Sequence, residues 1–318
     1  MYSSLQLRVQ SLTPTTIAIL VMLLVIILLP AIYPQPYFLH LFISVFIGIT
    51  LAASFNIIAG LAGQLSLGHA AFFGFGAYLV AFAIRSGIPV IPAIIIGCLG
   101  AGVIALPIGA VTLRLRGVYF AFATLGCAEV LRVVFLSFPQ LGGASGFVLP
   151  PPGEYNKAFY YYITFVIAVL SIITTRVIIN SRFGYGLAAI LNDEDAAKTT
   201  GINTMLFKVE AFIISAIFAG MAGGAYASYM LYIEPNMAYS AFISIEMQVM
   251  AIFGGLGTIM GPIIGGSLIK LLREVTTYTL AGVIFPGFYL IVYGLILVLV
   301  IIAAPEGVAG LIKKIGKR

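Results

Sequence analysis

Glu129 and Arg132 stand three residues apart inside the apolar run 117–138, close enough on a helix to meet. At ~1.5 Å per residue Glu129 lies roughly 18 Å into that run. A lone charge at such depth costs at least ~2.5–3.5 kcal/mol, so an intramembrane ion pair is expected. The spacing suits a pair that locks a helix bundle and equally one that gates or lines a path. Glu246 and Gln248 open a second polar position, where a carboxylate near an outer mouth could meet the ammonium group of a zwitterion. Asn56, Gln64, Ser66 and His69 punctuate a glycine-rich stretch, 56–78. Asn56 reads as the donor of an interhelical hydrogen bond; Gln64, Ser66 and His69 read as a packing seam or as one wall of a substrate path. None of this amounts to a catalytic constellation. No nucleophile sits beside a base, and His40 and His69, the two histidines, lack ligand spacing. Cys98 and Cys127 lie in apolar runs as small packing residues, so neither a disulfide nor a metal site is expected. There is no Gly-x-x-x-x-Gly-Lys-Ser/Thr loop to cradle nucleotide phosphate. The chain is expected to bind no cofactor and to draw its energy from elsewhere.

The elements that must position these residues are membrane spans. The 318 residues are 62% hydrophobic and 8% charged, against about 25% charged in soluble domains, and the mean hydropathy is +1.15. The implied fold is an all-α polytopic membrane protein, a bundle of about 8–10 transmembrane helices including broken or re-entrant segments. The net charge of +6 is scattered over span ends and the C-terminal tail, which reflects topology rather than a nucleic-acid surface.

Windows of about 20 apolar residues place spans near 15–33, 38–59, 66–84, 88–112, 117–138, 159–180, 209–232 and 283–303. The first is read as a retained span, since no small-residue cleavage site follows it. Arg8, Arg114, Arg116, Arg182, Lys198, Lys208 and the tail Lys313-Lys314-Ile315-Gly316-Lys317-Arg318 outweigh Arg85 and Lys157, which puts both termini in the cytoplasm. With the last span delivering the tail inside, residues 244–272 must return to the side they left, as a hairpin or two half-spans. The run from Phe253 to Pro262, with glycines at 254, 255, 257 and 261, fits that reading. Lys270 and Arg273 on the outer side run mildly against the charge rule. The whole chain, 1–318, reads as a single transmembrane domain.

One stretch stays polar, 180–208. It reads as two short helices, the second starting at a capping-box-like Asn192 with Asp195 three residues on and ending at a left-handed Gly201. A capped helix between spans is a shape a second protein can grip, and it can equally be a solvated spacer.

Asp195-Ala196-Ala197, three residues and then Gly201 resemble the Glu-Ala-Ala-x-x-x-Gly loop of ABC importer permeases, with Asp replacing Glu. The run Gly63-Gln64-Leu65-Ser66-Leu67-Gly68-His69 to Tyr78, then Leu115-Arg116-Gly117-Val118-Tyr119-Phe120-Ala121, then Gly254-Gly255-Leu256-Gly257 to Gly261-Pro262 follow in the order of the high-affinity branched-chain amino-acid importer permeases. The resemblance spans about residues 50 to 266 and is closest to the second, Arg-Gly-Val-Tyr-Phe-Ala-bearing permease type.

That resemblance implies a translocation subunit, not an enzyme, of the prokaryotic plasma (inner) membrane. The implied partners are a second homologous permease, two ATP-binding subunits and a periplasmic or extracellular substrate-binding protein, all beside membrane lipid. In it Asn192, Asp195, Ala196, Ala197 and Gly201 would form the coupling helix that docks on the ATPase. Urea or short amides are alternative cargoes within such permeases. A stand-alone ion-coupled transporter and a structural membrane subunit are the readings from other classes, and a capped acidic helix in the cytoplasm has no natural place in the first of them.

Overall fold

The computed structural model describes residues 24–151 and 155–280, with isolated positions 291, 294, 295 and 298. Apart from those positions, the expected span near 283–303 lies outside the described residues, as do the basic tail and Arg8. Residues 24–32, the end of the first expected span, are helical.

The helices follow the apolar windows. α1 (Pro36–Phe55) starts on a proline whose missing N–H costs nothing at a helix N-terminus, and it runs on through a π-helical turn, Asn56–Leu61. α2 (Ala70–Arg85), α3 (Val90–Thr112), α4 (Val118–Ser137) and α5 (Lys157–Ile179) complete the first half. Two short helices follow, α6 (Arg182–Asn192) and α7 (Glu194–Thr199), then the long α8 (Thr204–Met230). The one-turn α9 (Pro235–Ala238) leads into α10 (Ala241–Gly254) and α11 (Met260–Leu280). Among the described residues six helical stretches are long and apolar enough to cross a membrane, and α2 is a shorter apolar one. Sheet among the described residues is one small antiparallel pair, β1 (Phe147–Val148) with β2 (Tyr232–Ile233). It ties the α4–α5 connection to the α8–α9 connection at the end of the bundle opposite α6 and α7.

α8 is the central post, packed along both α2 and α3, while α1 carries α11 and α5. Small residues let the backbones touch. A Cβ on Gly76 of α2 would sit 2.5 Å from the Gly220 Cα of α8, one on Gly97 of α3 would sit 2.8 Å from the Gly76 carbonyl oxygen, and one on Gly223 would collide with the Phe73 carbonyl. Without a hydrophobic drive between helices in lipid, this close van der Waals approach is what holds them.

The returning segment is a hairpin, α10 and α11 joined by residues 255–259. Its antiparallel register is fixed by Gly254 against Gly261, Gly265 against the Met250 carbonyl, and Lys270 and Arg273 against Glu246. Gly255 (φ 114°) and Gly257 (φ 73°) take the turn through conformations that side chains rarely adopt. Peptide groups in such a turn have no helical partners, and Asn56 supplies them: its Oδ1 accepts from the Gly257 N–H at 2.7 Å, and its Nδ2 donates to the Thr258 carbonyl at 3.1 Å. The interhelical bond expected of Asn56 therefore pins the hairpin tip to α1.

Candidate functional site

The stretch between α6 and α8 folds around its capping residues. Ser181 caps α6, accepting from the Gly184 N–H at 3.1 Å. The cap of α7 is one residue later than expected. Asp193, not Asn192, accepts from the amides of Asp195 (2.9 Å) and Ala196 (3.0 Å), because Asn192 is still the last residue of α6 and turns its amide back to the Ala188 carbonyl. The other end is as expected. Gly201 is left-handed (φ 87°), the Ile202 N–H reaches the Ala197 carbonyl and the Gly201 N–H that of Lys198, which is the Schellman arrangement of a helix C-terminus.

Two adjacent acids hold α7 to the body in different directions. Glu194 accepts from Lys208 of α8 at 2.6 Å, and that ammonium is almost completely buried. Asp195 receives both arms of Arg116, at 2.7 and 3.1 Å, from the α3–α4 connection. Lys198 reaches both acids at 3.3 Å. The Arg116 fork, helped by Lys198, holds the Asp195 carboxyl down to about 2. Burial pushes the Glu194 carboxyl up, but the hydrogen bonds from Lys208 and Lys198 outweigh it and leave it below the usual range. Ala197 is buried against the protein, while Ala196, Lys198, Thr199 and Thr200 are exposed. The result is a short helix fixed along one side and open along the other. Sequence reasoning used Lys208 only for topology and Arg116 for topology and the family resemblance, and it gave Glu194 no role of its own. Their shared end of the bundle was the available signal, since the α3–α4 turn and the polar stretch fall on the same side.

The other sequence candidates separate. Ser66, His69 and Gln64 are buried in the irregular segment 62–69 that leads into α2. His69 Nε2 lies 2.6 Å from the Ser215 hydroxyl, within a cage of Phe55, Phe72 and Phe212 rings. Ser215 and Ser54 exchange hydrogen bonds, each hydroxyl donating to the other's carbonyl at 2.7 Å, which welds α1 to α8. α10 holds the same segment: Gln248 donates to the Ser66 carbonyl at 3.3 Å, and Ser244 accepts the first N–H of α2. His69 Nδ1 and Gln64 Oε1 have no hydrogen-bond partner among the described residues. Asn56, Ser66, His69 and Gln248 are thus brought together as the joints of irregular backbone.

Glu246 sits in the half of the bundle away from α7, at the level where Lys270 packs against Gly48 of α1. Lys270 approaches its Oε1 at 2.9 Å and Arg273 reaches both oxygens at 3.1 and 3.2 Å. Beyond them His40 stands 3.7 Å from Glu274 and 2.7 Å from the Tyr229 hydroxyl. Cavities of about 240 and 230 Å³ flank this cluster and share Ile47, Tyr226, Lys270 and Arg273. The two basic residues that ran against the charge rule are balanced by two buried or half-buried acids on the same face.

Glu129 and Arg132 do pair, on α4. Both carboxylate oxygens are engaged by the guanidinium, whose remaining arm donates to Asn236 Oδ1 of α9 at 2.7 Å. The surroundings are open: the Glu129 side chain is 54% exposed, and only 22% of the apolar core of α4 is buried, against 78% for α1. Tyr119, Phe122, Gly126, Val130 and Val133 continue the same exposed stripe.

A model of the family described as branched-chain amino acid transport system / permease component matches residues 37–301. The chain is 27% identical over 293 residues to the high-affinity branched-chain amino acid transport system permease protein LivM of Escherichia coli (strain K12), covering 81% of this chain and 67% of that one. It is 23% identical over 236 residues, 67% of each chain, to a probable branched-chain amino acid transport permease protein LivM of Methanocaldococcus jannaschii. To the LivH protein of that organism it is 33% identical over 159 residues, 48% of this chain and 49% of the relative.

Proposed function

The chain belongs to the branched-chain amino acid transport system permease family, and from that premise we propose that it is one of two permease subunits of an ATP-driven importer of branched-chain amino acids. The observation that carries the reading is α7. Capped by Asp193, closed by Gly201 and bonded through Glu194 to the buried Lys208, it offers Ala196, Lys198 and Thr199 on a rigid mount to a partner. A displacement applied there by an ATPase subunit is passed to the bundle rather than absorbed locally. α4 supports a second permease beside this one. A span with most of its surface open and an ion pair on that surface needs protein or water, not lipid, against it. In this reading both termini are cytoplasmic, α4 faces the path, a binding protein delivers cargo to the β1–β2 end, and ATP is bound by the partners.

Two measurements test the arrangement. A cysteine at exposed Thr200 is expected to react only with a reagent supplied from the cytoplasm, and one at exposed Asn156, the cap of α5, only from outside; the reverse pattern overturns the orientation and the docking with it. Gly201→Pro forces φ from +87° to about −65° and deletes the Gly201 N–H bond to Lys198. The variant is expected to reach the membrane in normal amount and to lose ATP-driven leucine uptake. Undiminished uptake removes α7 from the coupling role.

A further inference from the structure

Two neighbouring acids on α7 grip different parts of the bundle, and the parts differ in how firmly they are held. Lys208, the partner of Glu194, belongs to α8, the post packed along α2 and α3. Arg116, the partner of Asp195, is joined to α4 through a single residue, Gly117. Gly117 is the N-terminal cap of α4, has φ 58°, and a Cβ there would meet nothing within 4 Å. α4 is the least buried of the six candidate spans. Push on α7 and α8 resists, whereas α4 has few neighbours to hold it and a glycine at its foot. We propose that the Arg116–Asp195 ion pair is the link through which movement of α7 reaches α4, making Arg116 a positioning residue for transport. The inference rests on α7 being the ATPase contact.

The geometry suits a link that carries direction. A guanidinium bound through two nitrogens to two carboxylate oxygens resists rotation as well as separation, and Nε adds a contact to Glu194 at 3.6 Å. Asp195 has both oxygens engaged within the chain, so its charge serves the permease itself rather than a docked partner. Arg116 and Asp195 are both well exposed, and ion pairs in that setting add little to stability. Loss of the pair is therefore separable from loss of the fold.

The test uses the complete complex in proteoliposomes, both permeases with ATPase subunits and binding protein, and radiolabelled leucine as the probe. Uptake per ATP hydrolysed is measured beside the thermal midpoint. Arg116→Glu is expected to assemble, keep its thermal midpoint and hydrolyse ATP, with uptake per ATP down by about tenfold. Arg116→Lys, which keeps the charge without the fork, is expected to fall between it and wild type. Arg116→Glu with Asp195→Arg rebuilds the pair in reverse and is expected to return to within about threefold of wild type. The inference is overturned if Arg116→Glu keeps the wild-type ratio, if the intact reversed pair is no better than the worse single variant, or if every loss of ratio follows a fall in thermal midpoint. A wild-type complex that holds its ATPases yet shows no ATP-dependent leucine uptake fails at the functional reading instead, and takes the inference with it.

Discussion

Gly223→Leu should leave no properly folded protein, while Gly126→Leu should fold normally and fail to transport. Both are mid-helix glycines in long spans, α8 and α4, and composition alone would rank them together. Their neighbourhoods are opposite. At Gly223 even a Cβ collides with the Phe73 carbonyl of α2, a backbone atom that moves only if the helices part. Overpacking by a methylene or two in an ordinary core costs ~1–3 kcal/mol, and here the Gly76–Gly220 contact one turn away opens with it. At Gly126 a Cβ meets nothing within 4 Å, and replacing an exposed helical glycine gains up to ~1 kcal/mol of helix propensity. The isolated subunit should therefore be as stable with leucine there. If α4 faces a second permease or the path, the added bulk falls on that surface, and uptake should drop by an order of magnitude or more. Melting curves and monodispersity of the two purified variants, with leucine uptake by the assembled importer, decide it. A Gly126→Leu protein that transports normally would leave the open face of α4 to lipid.

The second large effect is expected at Glu129 and Arg132, and it is asymmetric. Glu129→Gln leaves the guanidinium its bond to Asn236, whereas Arg132→Gln leaves the carboxylate without a cation. A carboxylate stranded in a span costs ~2.5–3.5 kcal/mol, roughly a hundredfold in the population of the assembled state. Arg132→Gln should therefore be the poorer of the two in yield and thermal stability. The double change removes both charges and should recover part of the loss, as disrupted ion pairs do when neither partner remains. That recovery marks a pair that holds the α4–α9 corner. Normal assembly of all three variants, each transporting poorly, would mark a pair that acts on the path itself. Thermal midpoints beside uptake separate the two outcomes.

The spans were legible because about 20 apolar residues between charges admit one structure in a bilayer, and α1 to α5 fall within a few residues of the windows. α2 starts four residues late because 62–69 is irregular, a departure that depends on the hydroxyl of Ser244 and the amide of Gln248 on a helix nearly 180 residues away. The hairpin was legible in its glycines and proline at 254–262, with the expectation of a cytoplasmic basic tail, which lies outside the described residues, as the other argument for a return. Its ion cluster was within reach too: a fold-back centred near Gly257 sets Glu246 opposite the neighbourhood of Lys270. The cap of α7 was missed by one position because Asn and Asp cap equally well, and only the length of α6 decides between Asn192 and Asp193. Nothing local in the sequence distinguishes Gly126 from Gly223. That difference belongs to packing.

The bonds from Asn56 to the hairpin tip carry a consequence for how the chain is made. The turn at 255–259 joins two apolar helices, α10 and α11, and inside the folded protein its Gly257 N–H and Thr258 carbonyl are met by Asn56. A translocon releasing that hairpin alone into lipid would release unpaired N–H and C=O groups, at several kcal/mol each. Asn56 precedes Gly257 and Thr258 by 201 and 202 residues, so α1 has left the ribosome and entered the bilayer long before the turn is synthesised. The order of translation thus supplies the receptor before its insert. Circular permutation that placed residues 241–280 ahead of α1 would reverse that order while keeping every contact of the finished protein.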